Sequence, residues 1–220
     1  MFAQRTKIFV LSLLCICVVV FTKFAGAMPQ AGTTAELLAA PPSDYVQNAF
    51  TQGAFLVNNS AGSIQLYDGV QNALLTSAGV STLVSKVNKC GIQELHVQTN
   101  VLEYAYVQEG EGTFTLWSSN GSLVLLKEPL APGDVAIIPA GWPHFFTGSE
   151  TSDTPLLFIS TFTGGNPQVY FLAGAGNLFA NIPADIGSSL YNVSASQYTT
   201  FFSAEHVVGV VFNETCLSGA

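Results

Sequence analysis

The stretch from Cys90 to Gly110 constrains this chain most. His96 and Gln98 stand two apart in an alternating run, and Glu103 opens a second run, Glu-Tyr-Ala-Tyr-Val, that ends in the turn Glu109-Gly-Glu-Gly112. In a β-strand, side chains two apart project from one face, so the imidazole of His96 and the amide of Gln98 point together. A second piece, Gly133-Asp-Val-Ala-Ile-Ile-Pro-Ala-Gly-Trp-Pro-His144, opens on a Gly-Asp turn and closes a short apolar strand with Pro-x-Gly. His144 starts the strand after it. Two His, one Glu and one Gln offered by neighbouring strands make a first shell for a divalent cation, with carbonyl, carboxylate and imidazole together suiting manganese or iron.

Parity assigns the neighbours. Glu94 shares a face with His96 and Gln98, and Trp142 and Phe146 share one with His144, so these three are expected around the pocket. Tyr104 and Tyr106 are expected to point away from it. Glu94 is either a proton carrier or a solvated surface carboxylate. His96 and His144 could each be an ordinary histidine with one hydrogen bond. Against that, two of only three histidines in the chain fall in these two slots; the third, His206, lies outside both and is assigned no role. Gln98 leaves three alternatives: it coordinates; or it does not, and His96, Glu103 and His144 form a two-His, one-carboxylate face; or the site has lost its metal.

The spacings resemble those of the cupin superfamily. Its first motif runs Gly, five residues, His-x-His, three or four residues, Glu, six residues, Gly; here His96, Glu103 and Gly110 are in register, with Gln98 for the second His and Cys90 for the first Gly. Its second motif runs Gly, five residues, Pro-x-Gly, two residues, His, three residues, Asn; here Gly133, Pro139, Gly141 and His144 are in register, with Gly148 for the Asn. The chain looks most like the germin-like branch, including the microbial spherulin-type proteins, over about residues 41 to 205. The resemblance implies an all-β fold, a single jelly-roll β-barrel with short C-terminal helices. It also implies a divalent metal, manganese before iron, and a homo-oligomer in which the tail packs on a neighbouring subunit. Germin-like proteins include oxalate oxidases and manganese superoxide dismutases, so one expectation is a metal-dependent oxidoreductase. The other is a non-catalytic wall, spore-coat or storage cupin. A sugar- or auxin-like ligand in the barrel is a third.

The start of the chain bears on where such a protein works. A basic opening, an apolar run of 14 residues from Ile8 to Phe21 and an Ala25-Gly-Ala27 ending read as a secretory signal peptide over residues 1–27. A membrane helix needs about 20 apolar residues. The expected location is extracellular or cell wall, with no membrane attachment after cleavage; the rival is an uncleaved anchor. Cleavage removes Arg5, Lys7 and Lys23, leaving three lysines against 14 acidic residues, a net charge of −11 and no arginine. Such a chain offers nucleic acid no cationic patch, and it lacks the bidentate clamp usual for a carboxylate substrate. Any small-molecule ligand that is anionic must be held by the metal, by lysine or by neutral donors. An exported chain also permits glycosylation at Asn58, Asn120, Asn192 and Asn213. Cys90 and Cys216 either pair or stand as separate thiols.

The remaining sequence divides into an arm at residues 28–50 with a short helix at Thr34–Ala39, a barrel at 51–165 and a helical or extended tail at 166–220. Strands are expected within 53–67 and 73–87 and then at 93–98, 102–108, 113–117, 122–127, 134–138, 143–147 and 155–162. The last of these is nearly all apolar, so both its faces should be covered. Short helices are expected at 169–179 and 184–193, and an edge strand or loose end at 205–212.

Overall fold

A computed structural model describes residues 34–172, 178–202 and 209–219. The signal-peptide expectation and His206 lie outside the described residues.

Among the described residues thirteen strands form two antiparallel sheets. The six-stranded sheet runs β1 (Ala54–Asn59), β2 (Gly62–Tyr67), β3 (Ser81–Val87), β11 (Leu156–Phe162), β6 (Glu103–Glu109) and β9 (Val135–Ile138) in spatial order. In the second, β12 (Val169–Phe171), β5 (His96–Gln98), β10 (His144–Gly148), β4 (Gly91–Gln93) and β13 (Val210–Phe212) follow one another. There β7 (Gly112–Trp117) also pairs β10, and β8 (Leu123–Leu130) pairs β7. Two sheets whose inner faces interdigitate are the architecture of a jelly roll.

The alternation that predicted these strands also sorts them. β6 reads buried at Glu103, Ala105 and Val107 and exposed at Tyr104 and Tyr106, as parity requires. Phe146 stacks between Phe114 (centroids 4.7 Å) and Phe158 (4.2 Å), and with Phe162, Leu156 and Val87 these rings form the dry centre. Phe146 therefore belongs to the core, and Trp142 lies partly buried against it. The strand β11 is fully covered on one face only: Leu156, Phe158, Ser160 and Phe162 are buried, whereas Leu157 and Ile159 on the other face are half-buried and Thr161 is exposed.

Several elements differ from the sequence reading, among them the strand expected at 93–98, which is broken between Gln93 and His96 into β4 and β5. Residues 73–78 form a helix, α3 (Ala73–Ala78), following α1 (Thr34–Ala39) and α2 (Ala49–Gln52). Asn72 caps it, accepting from Leu74 N, and Gly79 closes it in the left-handed conformation. Residues 169–171 are a strand instead of a helix start, because Val169 to Phe171 pair with Gln98 to His96. The helix expected at 184–193 is α4 (Ala184–Tyr191), followed by α5 (Ala195–Phe202), and α6 (Glu214–Ser218) ends the described chain.

Cys90 and Cys216 are joined by a disulfide. It ties the turn before β4 to α6 and so holds β13 on its edge. The backbone agrees: Cys90 O accepts from Asn213 N at 2.8 Å.

Candidate metal centre

The centre lies between the sheets. β5 and β10 run antiparallel with His96 opposite His144, so both imidazoles come from one wall. Glu103 comes from the other, at the start of β6. One ligand atom from each of His96, Glu103 and His144 lies within 4.8 Å of the others, and all three residues are 4% exposed or less. The turn between the motifs is tied down as well: Gly141 N donates to Gln98 O at 2.7 Å, which seats His144 beside β5.

Hydrogen bonds behind the cluster fix its protonation. His96 Nδ1 lies 2.7 Å from Glu94 O, and His144 Nδ1 lies 3.0 Å from Trp142 O. A carbonyl oxygen only accepts, so each Nδ1 carries a proton and each ring turns its Nε2 forward into the cluster. Glu103 Oε1 accepts from the Ser160 hydroxyl. That leaves Oε2, 3.3 Å from His144 Nε2, and neither atom has a hydrogen-bond partner. Two buried lone pairs facing one another need a cation or a proton between them. Imidazole, imidazole and carboxylate converging with their outer atoms already bonded is the donor arrangement of a divalent-metal site, so the residues fit a metal.

The electrostatics follow from burial. Desolvation, helped by the neighbouring His144, pushes the His96 imidazole down to about 3, so it stays neutral. Burial pushes the Glu103 carboxyl up, but His144, His96 and the Ser160 hydroxyl outweigh it and hold the group below its usual value. Both shifts have one sign for stability. A folded state that refuses a proton the unfolded chain accepts loses ground as pH falls, from about 6.5 for His96 and from about 4.5 for Glu103. Lowering the pH from 7 to 5 is expected to cost the metal-free protein about 2 kcal/mol through His96, read as a shift in urea midpoint.

The other expected residues fall as follows. Gln98 is 2% exposed and shares the inward face of β5 with His96, so it stands on the correct side to be a fourth ligand. Glu94 is neither solvated nor available as a free base: it is 4% exposed and accepts from Gly209 N at 2.7 Å. Trp142 contributes a carbonyl to the site. Two residues escaped the sequence reading. Ser160, the group holding Glu103, was recognisable as a polar residue at an inward position of an apolar strand. Phe171, with its ring 5.9 Å from that of His96, depended on the unexpected β12 strand.

The family model for cupins matches residues 47–198, most of the chain. The chain belongs to the cupin family. No protein of curated function matches this cupin in sequence. Among solved structures it is similar to the coconut allergen cocosin (16% identity, TM-score 0.69, 76% of this chain and 44% of that one). It is similar also to pumpkin seed globulin (17%, 0.70, 79% and 46%) and to vicilin from tomato (19%, 0.66, 76% and 45%). The cupin thus spans less than half the length of these neighbours, and the likeness at such identities is one of fold.

Two of the three departures from the family motifs have a structural reason. A side chain at Gly148 would place its Cβ 2.1 Å from Asn88 O, so the Asn of the family pattern does not fit here. Cys90 stands where the pattern has glycine and keeps a glycine-like φ of 58°, held there by its disulfide.

Proposed function

We propose that this is an exported, non-catalytic cupin of storage, wall or coat type whose barrel is stapled by a divalent metal, manganese before iron. His96, Glu103 and His144 would hold it, with Gln98 as fourth ligand. The observation that carries the metal is the facing pair of partnerless buried atoms, Glu103 Oε2 and His144 Nε2. The absence of turnover is argued from enclosure: the three ligands are almost without exposed surface, and among the described residues there is no arginine to position an anionic substrate. Seed globulins and vicilins among the structural neighbours support the storage reading. A bound redox metal would supply Lewis acidity and electron transfer. The two-His, one-carboxylate set favours the second reading, an oxidoreductase of oxalate-oxidase or superoxide-dismutase type.

Elemental analysis of protein secreted in manganese- and iron-containing medium, with oxalate and superoxide assays on the same sample, tests both. The expected result is near-stoichiometric metal without turnover. Turnover abolished by His96→Ala would establish the oxidoreductase, and metal-free folded protein would remove the metal from either reading.

The surface supports self-association. Tyr104 and Tyr106 on β6 lie opposite Ile137 and Val135 on the edge strand β9, and all four are more than 40% exposed. The helix α4 carries a second exposed apolar pair one turn apart, Ile186 and Leu190. We assign these to one contact repeated between copies, helix pair on sheet face, as exposed apolar patches mark interfaces. Light scattering after size exclusion is expected to show that Ile137→Glu and Leu190→Glu each reduce the oligomer to monomer. A monomeric parent would refute the contact. Glycans would be carried at Asn58, Asn120 and Asn192, all exposed. Asn213 uses its side-chain oxygen to cap α6, accepting from Cys216 N.

A further inference from the structure

The N-terminal arm and the turn into α3 enclose a second cavity, of about 390 Å³, that shares no residue with the metal cluster. Its size falls in the lower part of the ~300–1,000 Å³ range of small-molecule sites. Asp44, Gln47, Gln52, Tyr67, Gln71 and Asn72 line it. Tyr67 and Asn72 are the buried floor, at 6% and 7% exposure.

These side chains are held by one end and open at the other. Gln52 Oε1 accepts from Asn48 N at 3.0 Å, and Gln71 Oε1 accepts from Asp68 N at 2.8 Å, which leaves both Nε2 groups to donate. Gln47 is pinned the opposite way, donating Nε2 to Ser43 O and leaving its carbonyl oxygen to accept. The Tyr67 hydroxyl accepts from Asn72 Nδ2 at 3.2 Å, so its own proton remains. Asn72 is consumed as the clamp, donating also to Asp44 O at 3.0 Å and accepting from Leu74 N. Asp44 adds a carboxylate acceptor.

Three donors and two acceptors, the amides and the hydroxyl each oriented by a hydrogen bond, match a molecule with several hydroxyls, each able to donate and accept. Among the described residues the lining has no cation and includes a carboxylate, which disfavours an anion. Beside the polar groups the Tyr67 ring and Ala73 supply apolar wall, which suits the C–H face of a sugar ring. The geometry points to a binding site for a small neutral polyhydroxylated ligand, a monosaccharide or the terminal sugar of a glycan.

Calorimetric titration of the full secreted chain with glucose, galactose, mannose, fucose and N-acetylglucosamine tests this, with acetate and phosphate as anionic controls. At least one sugar is expected to bind one per chain with a dissociation constant near ~1 mM. The isosteric Tyr67→Phe and the rim substitution Gln52→Met, each removing one donor, are expected to weaken binding about tenfold while leaving metal content unchanged. No heat with any of the sugars, binding of the anions instead, or sugar binding indifferent to both substitutions would overturn the assignment.

Discussion

Replacing His144 by alanine is expected to abolish tight divalent-metal binding and to destabilise the metal-free protein by about 3 kcal/mol. The reason is local. Glu103 Oε2 faces His144 Nε2 at 3.3 Å, so without metal the imidazole is the group that can share a proton with it, and His144 is fully buried. Removing the imidazole leaves a desolvated carboxylate whose remaining bond, from Ser160, is on the other oxygen. Glu103→Gln separates the two consequences. It also removes a ligand, so metal affinity should fall by at least ~100-fold, more than the loss typical of groups behind a site. Yet the amide can donate to the His144 lone pair, so the metal-free fold should be as stable as the parent or more so. Elemental analysis gives the first quantity and urea midpoints of chelated protein the second. A metal-free His144→Ala as stable as Glu103→Gln would mean that Glu103 is not held by His144, and the centre would then lose its physical basis.

The centre was legible in the sequence because a strand's two-residue period is rigid. His96 and Gln98 must share a face, and so must His144 and Phe146, whatever the rest of the chain does. What the period could not say is which face meets what. Glu94 lies in the break between β4 and β5, where the parity does not reach, and the backbone that donates to it is Gly209, 115 residues away. The same limit hid β12: Val169 to Phe171 are a strand only because β5 is there to pair with. Local signals fared better where the chemistry is local, and one was overlooked. Asn72 and Gly79, the caps of α3, were readable as helix ends, but the alternation of apolar residues with Ser and Thr between them suggested a strand.

Departures from the family pattern carry as much information as matches. Gly148 shows that the closing position of the second motif is decided here by the Asn88 carbonyl behind it and not by a ligand. Gln98 is the contrasting case. It keeps the inward, buried strand position of the histidine it replaces, so the change alters the side chain and leaves its place on β5 intact. An amide oxygen donates more weakly than an imidazole, which suits a metal held for structure better than one that must cycle its charge.

Breaking the Cys90–Cys216 disulfide is expected to cost about 4 kcal/mol, the largest single loss of stability that removes no side chain from the core. The bridge closes a loop of 126 residues, and in the chain-entropy account a loop of that size restricts the unfolded state by about 5 kcal/mol before any loss to residual structure. Without it, the three residues of β13, the bonds between Gly209 and Glu94, and those from Asn213 N to Cys90 O and from Asn59 Nδ2 to Val210 O remain to hold the C-terminal segment. Two double variants distinguish the bridge from the backbone it clamps. Cys90→Ser with Cys216→Ser keeps a non-glycine residue at φ 58°, whereas Cys90→Gly with Cys216→Ser relieves that conformation. The glycine version should recover about 1 kcal/mol of the loss. Urea midpoints of the parent with and without reductant, beside the two variants, give both figures. A reduced parent as stable as the oxidised one would show that β13 and α6 are held by their backbone bonds alone.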